Sequence, residues 1–139
     1  MSLFRKLSSV GLIAITATTL ISWSYIFNVR PVGRLQGPVS FKFYDESNRQ
    51  IITRITSFTV SERTAGHEWK AVWSLAGRAR LSEIIYGGKH TGLKETSPAR
   101  RLVSGKVYGA FASDGSGGSA GRYFSFKQNG AIVLPDSPD

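Results

Sequence analysis

The chain has 139 residues, a formal net charge of +9 and no cysteine. That length holds one domain of ordinary size, and 41% apolar with 12% aromatic residues excludes a fully disordered chain. The absence of cysteine excludes a disulfide scaffold, a thiolate metal centre, a Cys nucleophile and a lipid-modified Cys.

Residues 1–6 form a short basic start carrying Arg5 and Lys6, and residues 7–29 then run for 23 positions without a charge. As a helix that run reaches roughly 35 Å, enough to cross a bilayer with some tilt. Leu12, Ile13, Ile15, Leu20 and Ile21 make it apolar, and Trp23 and Tyr25 lie near its far end, where amphipathic rings prefer the headgroup level. Two readings fit. The segment is an uncleaved signal anchor whose basic start stays in the cytoplasm, or it is a signal peptide cut after Ser22-Trp23-Ser24. The bulky Tyr25 and the length of the uncharged run favour the anchor. Both readings deliver the rest of the chain across a membrane. With no cysteine, this suits a bacterial inner-membrane protein with its C-terminal domain in the periplasm; a free periplasmic or secreted protein is the alternative. Gly11, Ala14, Thr18 and Ser22 put small residues near one helix face, which allows helix-mediated self-association.

Beyond a linker over 30–37, the period changes from helical to alternating, and a β-domain is expected over 38–134 with a flexible tail over 135–139. Val39, Phe41 and Phe43 share one face of a first strand, and Asp45-Glu46-Ser47-Asn48 is a turn cluster. Residues 51–61 are rich in β-branched side chains, but Ile51 and Ile55 differ in parity from Ile52, Phe58 and Val60. A β-bulge or a strand changing sheets explains such a shift. Trp69, Ala71, Trp73 and Leu75 are expected on one strand face, with both indoles in the core. Residues 81–86 form the next strand, with Ser82, Ile84 and Tyr86 inward and Glu83 outward. Residues 106–112 follow, with Val107 and Phe111 on one face and Tyr108 and Ala110 on the other. Residues 122–127 place Phe124 and Phe126 inward, and Asn129-Gly130 suggests a two-residue type I′ hairpin leading to 131–134. About seven short strands and no helix beyond the membrane segment indicate an all-β fold. A single antiparallel β-sandwich of immunoglobulin or fibronectin type is expected, with a small barrel as the alternative.

Chemistry is sparse. His67 and His90 are the only histidines and lie in expected turns, without metal-ligand spacing. The nine acids show no pairing suited to acid–base work, and no nucleophile elbow is present. The glycine-rich stretch 115–121 lacks the Lys-Ser/Thr and helix of a phosphate loop and reads as a flexible connection between strands. No catalytic residue, metal or cofactor is assigned; a small hydrolase with an unidentified site stands as a third class.

The distinctive feature is charge. From residue 30 onward, 16 Lys and Arg face 9 acids, and residues 87–101 hold Lys89, His90, Lys94, Arg100 and Arg101 against Glu95 alone. A long basic loop is a candidate contact for an envelope partner protein or an anionic surface. Nucleic acid is an unlikely ligand, because Trp69, Trp73, Phe124 and Phe126 have core parity and not an exposed stacking pattern. The expected role is therefore a membrane-anchored, extracytoplasmic binding or assembly module. The alternative is a cleaved periplasmic protein that binds an anionic ligand or inhibits another protein.

Overall fold

The computed structural model describes residues 26–139. The basic start and the anchor residues Leu12, Ile13, Ile15, Leu20, Ile21 and Trp23 lie outside the described residues. In chain order the strands are β1 (Asn28–Gly33), β2 (Val39–Tyr44), β3 (Thr53–Arg63), β4 (Trp69–Leu81), β5 (Glu83–Ile85), β6 (Leu93–Ser97), β7 (Val107–Ser113), β8 (Ser119–Phe126) and β9 (Ile132–Val133). They form two antiparallel sheets, β1-β2-β5 and β6-β4-β3-β7-β8-β9. There is no helix among the described residues, and so none long and apolar enough to cross a membrane. The architecture is all-β and compatible with a β-sandwich.

The core follows from alternation. Val39, Phe41 and Phe43 of β2 point inward, with Phe41 and Phe43 fully buried. Phe41 meets Phe58 of β3 at 5.0 Å and Phe124 of β8 at 5.5 Å between ring centroids, so one side chain joins the two sheets. Tilted and edge-on rings at these separations add to the area they bury. Ile55, Val60, Trp73, Tyr108, Ala110, Phe124 and Phe126 complete the interior.

Tyr108 closes one end of this core. It sits at the entry of β7, is 1% exposed, and stacks on Phe124 at 5.4 Å. Its hydroxyl accepts the Val103 N–H at 2.8 Å and lies 3.4 Å from the Val103 carbonyl, to which it donates. Burial raises its pKa and keeps it the protonated donor this bridge needs.

Two irregularities in the β3–β4 pairing explain where simple alternation fails. The register shifts between Ile55 and Ser57, which carries the change of phase between Ile55 and Phe58. A second shift falls where Val60 pairs with Trp73 but Ser61 pairs with Ala71, leaving Val72 as the extra residue. Val72 and Trp73 are both buried, and the bulge turns Trp69 and Ala71 to the outer face. The expected pair of core indoles is thus corrected: only Trp73 is in the core.

Other boundaries move as well. Asn28–Gly33 is a strand paired along its whole length with β2, in place of the end of a membrane segment and the start of a linker. Phe27 and Val29 are buried in the core and cannot also face lipid. The expected strand over 81–86 is split at Ser82: Leu81 ends β4, and β5 pairs with β2 in the other sheet. Ile84 is fully buried and Glu83 partly exposed on the opposite side, as alternation requires. The β8–β9 hairpin forms, but its loop has three residues, Gln128, Asn129 and Gly130. Lys127 N–H donates to the Ala131 carbonyl at 2.9 Å and Gly130 N–H to the Lys127 carbonyl at 2.8 Å. Gly130 has φ +88° and Asn129 is not in the positive region, which excludes a type I′ turn.

The glycine-rich connection joins β7 to β8, and Asp114 organises it. This carboxylate is 4% exposed, and its Oδ1 accepts the N–H groups of Ser116 at 2.8 Å and Gly118 at 2.9 Å. Residues 135–139, expected to trail loosely, lie against the outer face of the six-stranded sheet. Asp139 pairs there with Arg63 at 3.2 Å and with His67 Nδ1 at 2.8 Å.

Candidate functional site

The basic segment 87–101 is only partly a loop. Its middle forms β6, antiparallel to β4 from Ser74 to Gly77, and β6 is the outermost strand of its sheet. Two glycines let it dock. A Cβ on Gly77 would lie 2.1 Å from the Gly92 carbonyl oxygen, the same oxygen that accepts the Arg78 N–H at 2.9 Å. Leu93 packs inward at 8% exposure, whereas Lys94, Glu95 and Thr96 are exposed. Glu95 is tied down, because its Oε2 accepts the Trp73 indole N–H at 2.8 Å. The segment's single acid is thus anchored to the core, while the side chains of Lys89, Lys94, Arg100 and Arg101 are exposed and enter no ion pair among the described residues.

The five residues singled out by charge do not form one cluster. Lys89, His90 and Lys94 line an open groove of about 500 Å³ with Leu75, Leu93 and Glu95. Arg101 belongs to a second groove, of about 610 Å³, bordered by Leu35, Val39, Tyr86, Leu102 and Val103. Arg100 stands between them in the chain. Its N–H donates to the Val72 carbonyl at 2.9 Å, and its own carbonyl accepts the Tyr86 hydroxyl at 2.5 Å. Burial, followed by the fields of Tyr108 and Glu95, pushes the Tyr86 phenol up to about 12, so it remains a donor.

His90 is a positioning residue here and not a solvated ligand. Its Nε2 accepts the Ile85 N–H at 3.0 Å, and its ring lies 6.4 Å from that of Trp73. Nδ1 is buried without a hydrogen bond of ordinary geometry. Burial lowers its pKa below 6.5, opposed by the Gly88 carbonyl and Glu83. Between that lowered value and 6.5 the unfolded chain binds a proton that the folded chain refuses, so stability falls as pH drops through this window. Urea midpoints measured at several pH values should therefore decline on acidification below about 6.5. His90→Gln should flatten that decline; an unchanged pH profile in the variant would show that His90 is not its source.

His67, the other histidine, sits on the β3–β4 turn at φ +61°, with its side chain 71% exposed. Among the described residues no three His, Asp or Glu side chains come together as a metal site. Lys106 meets Glu62 at 2.7 Å, which occupies another acid.

Alternation failed to reveal one surface feature. On the outer face of β4, β7 and β8, Trp69 stacks on Tyr123 with rings 8° apart and centroids at 5.7 Å. Phe111 stands edge-on to Trp69 at 5.6 Å, and the Arg63 guanidinium lies over the indole at 5.2 Å. Gly109 and Gly121 leave the space that the Phe111 ring fills, since a Cβ on either would approach it to within 3 Å. The available signal was Phe111 opposite in parity to the core residue Tyr108, flanked by Gly109 on its own face. The chain matches no known family model, no curated protein and no solved structure.

Proposed function

We propose that the chain is a binding or assembly module that receives an acidic, extended segment of an envelope partner protein along its β6 edge. The carrying observation is that β6 is the outermost strand of its sheet among the described residues, with the exposed Lys89 and Lys94 in the groove beside it and Arg100 and Arg101 following it in the chain, while its own acid is held by Trp73. An edge strand supplies main-chain hydrogen bonds, and the cations select an acidic partner and speed its approach.

We further propose an immunoglobulin- or fibronectin-type sandwich as the scaffold. Taking β1, β2, β3, β4, β5, β7 and β8 as strands A, B, C, C′, E, F and G gives A-B-E in one sheet and C′-C-F-G in the other, with β6 and β9 added at the edges. The Tyr108 hydroxyl bridging back to Val103 at the entry of β7 supports this assignment, because a tyrosine corner occupies that place in such domains. The proposed location is the periplasmic side of a bacterial inner membrane. With Phe27 in the core, about 20 uncharged residues precede it, a length that as a helix would reach roughly 30 Å, enough to cross a bilayer.

A photo-crosslinking residue at Thr96 in the intact chain, within bacterial envelopes, tests the edge. One discrete adduct is expected at Thr96 and none at the exposed Lys70, near the start of β4 and away from its β6 contact. Changing Lys89, Lys94, Arg100 and Arg101 to Gln should cut the yield about tenfold at low salt without changing the unfolding midpoint. Equal yield from the variant, or no adduct but pelleting with anionic lipid vesicles, overturns the reading in favour of a different surface or a lipid contact.

A further inference from the structure

The aromatic outer face is partly covered by a specific piece of chain. After β9, Pro135 and Asp136 line a cavity of about 280 Å³ with Phe111, Gly121, Arg122 and Tyr123. Asp139 then reaches Arg63 and His67, and Arg63 in turn lies over Trp69. Residues 135–139 thus run from the Tyr123 side of the aromatic cluster to its Trp69 side. They read Pro-Asp-Ser-Pro-Asp, and both prolines are half-buried while Asp136 and Ser137 are exposed.

Two physical features make this more than a chain lying on a surface. Two prolines three apart restrict the backbone of the segment, which bends at Asp136 and Ser137 between them, so ordering it against the sheet loses little entropy. The charges also match: Arg63 and His67 hold Asp139, and Arg122 borders the cavity that contains Asp136. The rings, the glycines beneath Phe111 and the cations thus lie on the one face where this chain's own prolines and acids sit.

We propose that this face is a docking groove for a bent Pro-x-x-Pro-acid peptide and that residues 135–139 are its resident occupant, exchangeable for the same kind of segment on a partner protein. The β6 edge plays no part in this inference. A tethered occupant competes at an effective concentration near the millimolar range, so the groove is open only to a partner that outbids it locally or in multiple copies.

The test uses a synthetic acetylated Leu-Pro-Asp-Ser-Pro-Asp peptide and the NMR signal of the Trp69 indole N–H, identified with Trp69→Phe. In a chain ending at Leu134 the signal should move, and saturating peptide should return it to its position in the intact chain. The intact chain should need at least about tenfold more peptide for a comparable response. A peptide with both prolines changed to Ala should bind at least about tenfold more weakly. A folded, shortened chain whose Trp69 signal ignores the peptide overturns the proposal, as does equal binding of the Ala peptide. Should the shortened chain fail to fold, Asp139→Asn in the intact chain decides. It should lower the peptide needed by about threefold or more, and no change overturns the groove.

Discussion

Trp73→Ala is expected to destabilise the domain by about 3–5 kcal/mol, read as a lower urea midpoint. The indole is fully buried, and it packs edge-on against Phe58 at 6.0 Å and Tyr86 at 5.0 Å. Truncation removes the transfer free energy of the ring and leaves a cavity that the two sheets cannot close. Against a total stability of roughly 5–15 kcal/mol for a domain of this size, that loss is a large fraction. A second consequence separates this residue from any other core aromatic. Trp73 also holds Glu95, so the amides of β6 should lose hydrogen-exchange protection ahead of those of β3 and β7. Trp73→Phe should retain much of the packing and still release β6. Uniform loss of protection across all strands in both variants would show that the indole bond does not tether the edge.

Tyr108→Phe should cost about 1–2 kcal/mol, out of proportion to the loss of one oxygen. The ring stays stacked on Phe124, but the Val103 N–H and carbonyl lose the partner that serves both. A partly buried donor left without a partner costs its desolvation, which exceeds the net worth of an ordinary hydrogen bond. Urea unfolding should show a lower midpoint at an unchanged slope. If the variant matches the parent, water reaches Val103 freely and the bridge contributes nothing.

The parts of the fold legible in the sequence were those where one side chain in two faces the core. Val39, Phe41 and Phe43 on β2, and Phe124 and Phe126 on β8, are buried as their spacing implies. The phase change within β3 was visible too, and it coincides with a register shift in which β4 carries the extra residue, between Ala76 and Ala79. Trp69 was misplaced because one extra residue, Val72, inverts parity along the same strand, and no local residue preference marks that insertion. β1 was hidden because Phe27 and Val29 continue an uncharged run, and a proline at position 31 is a poor strand signal. Pro31 is compatible with β1 because that strand lies at the edge of its sheet, where a missing N–H costs no ladder bond. β6 was hidden for the opposite reason. Only Leu93 among its residues is buried, so there was no alternation to find, and its partner was specified by Gly77 and Gly92 far apart in the chain. The charge of the 87–101 segment was plain in the sequence, but its division between two grooves depends on main-chain bonds from Val72, Tyr86 and Arg100.

The early start of β1 bears on reach. In the anchored arrangement proposed above, the folded body would begin soon after the span: Ile26 is exposed, Phe27 is already core, and Asn28 is already laddered to Tyr44. The end of the sandwich nearest the bilayer would then carry the 45–50 turn and the exposed Ile52. Such a mount would leave the module little radius of search. Its longest strand, β4 with 13 residues, sets a height of only about 40 Å. A partner of β6 would then have to meet it within that height of the membrane.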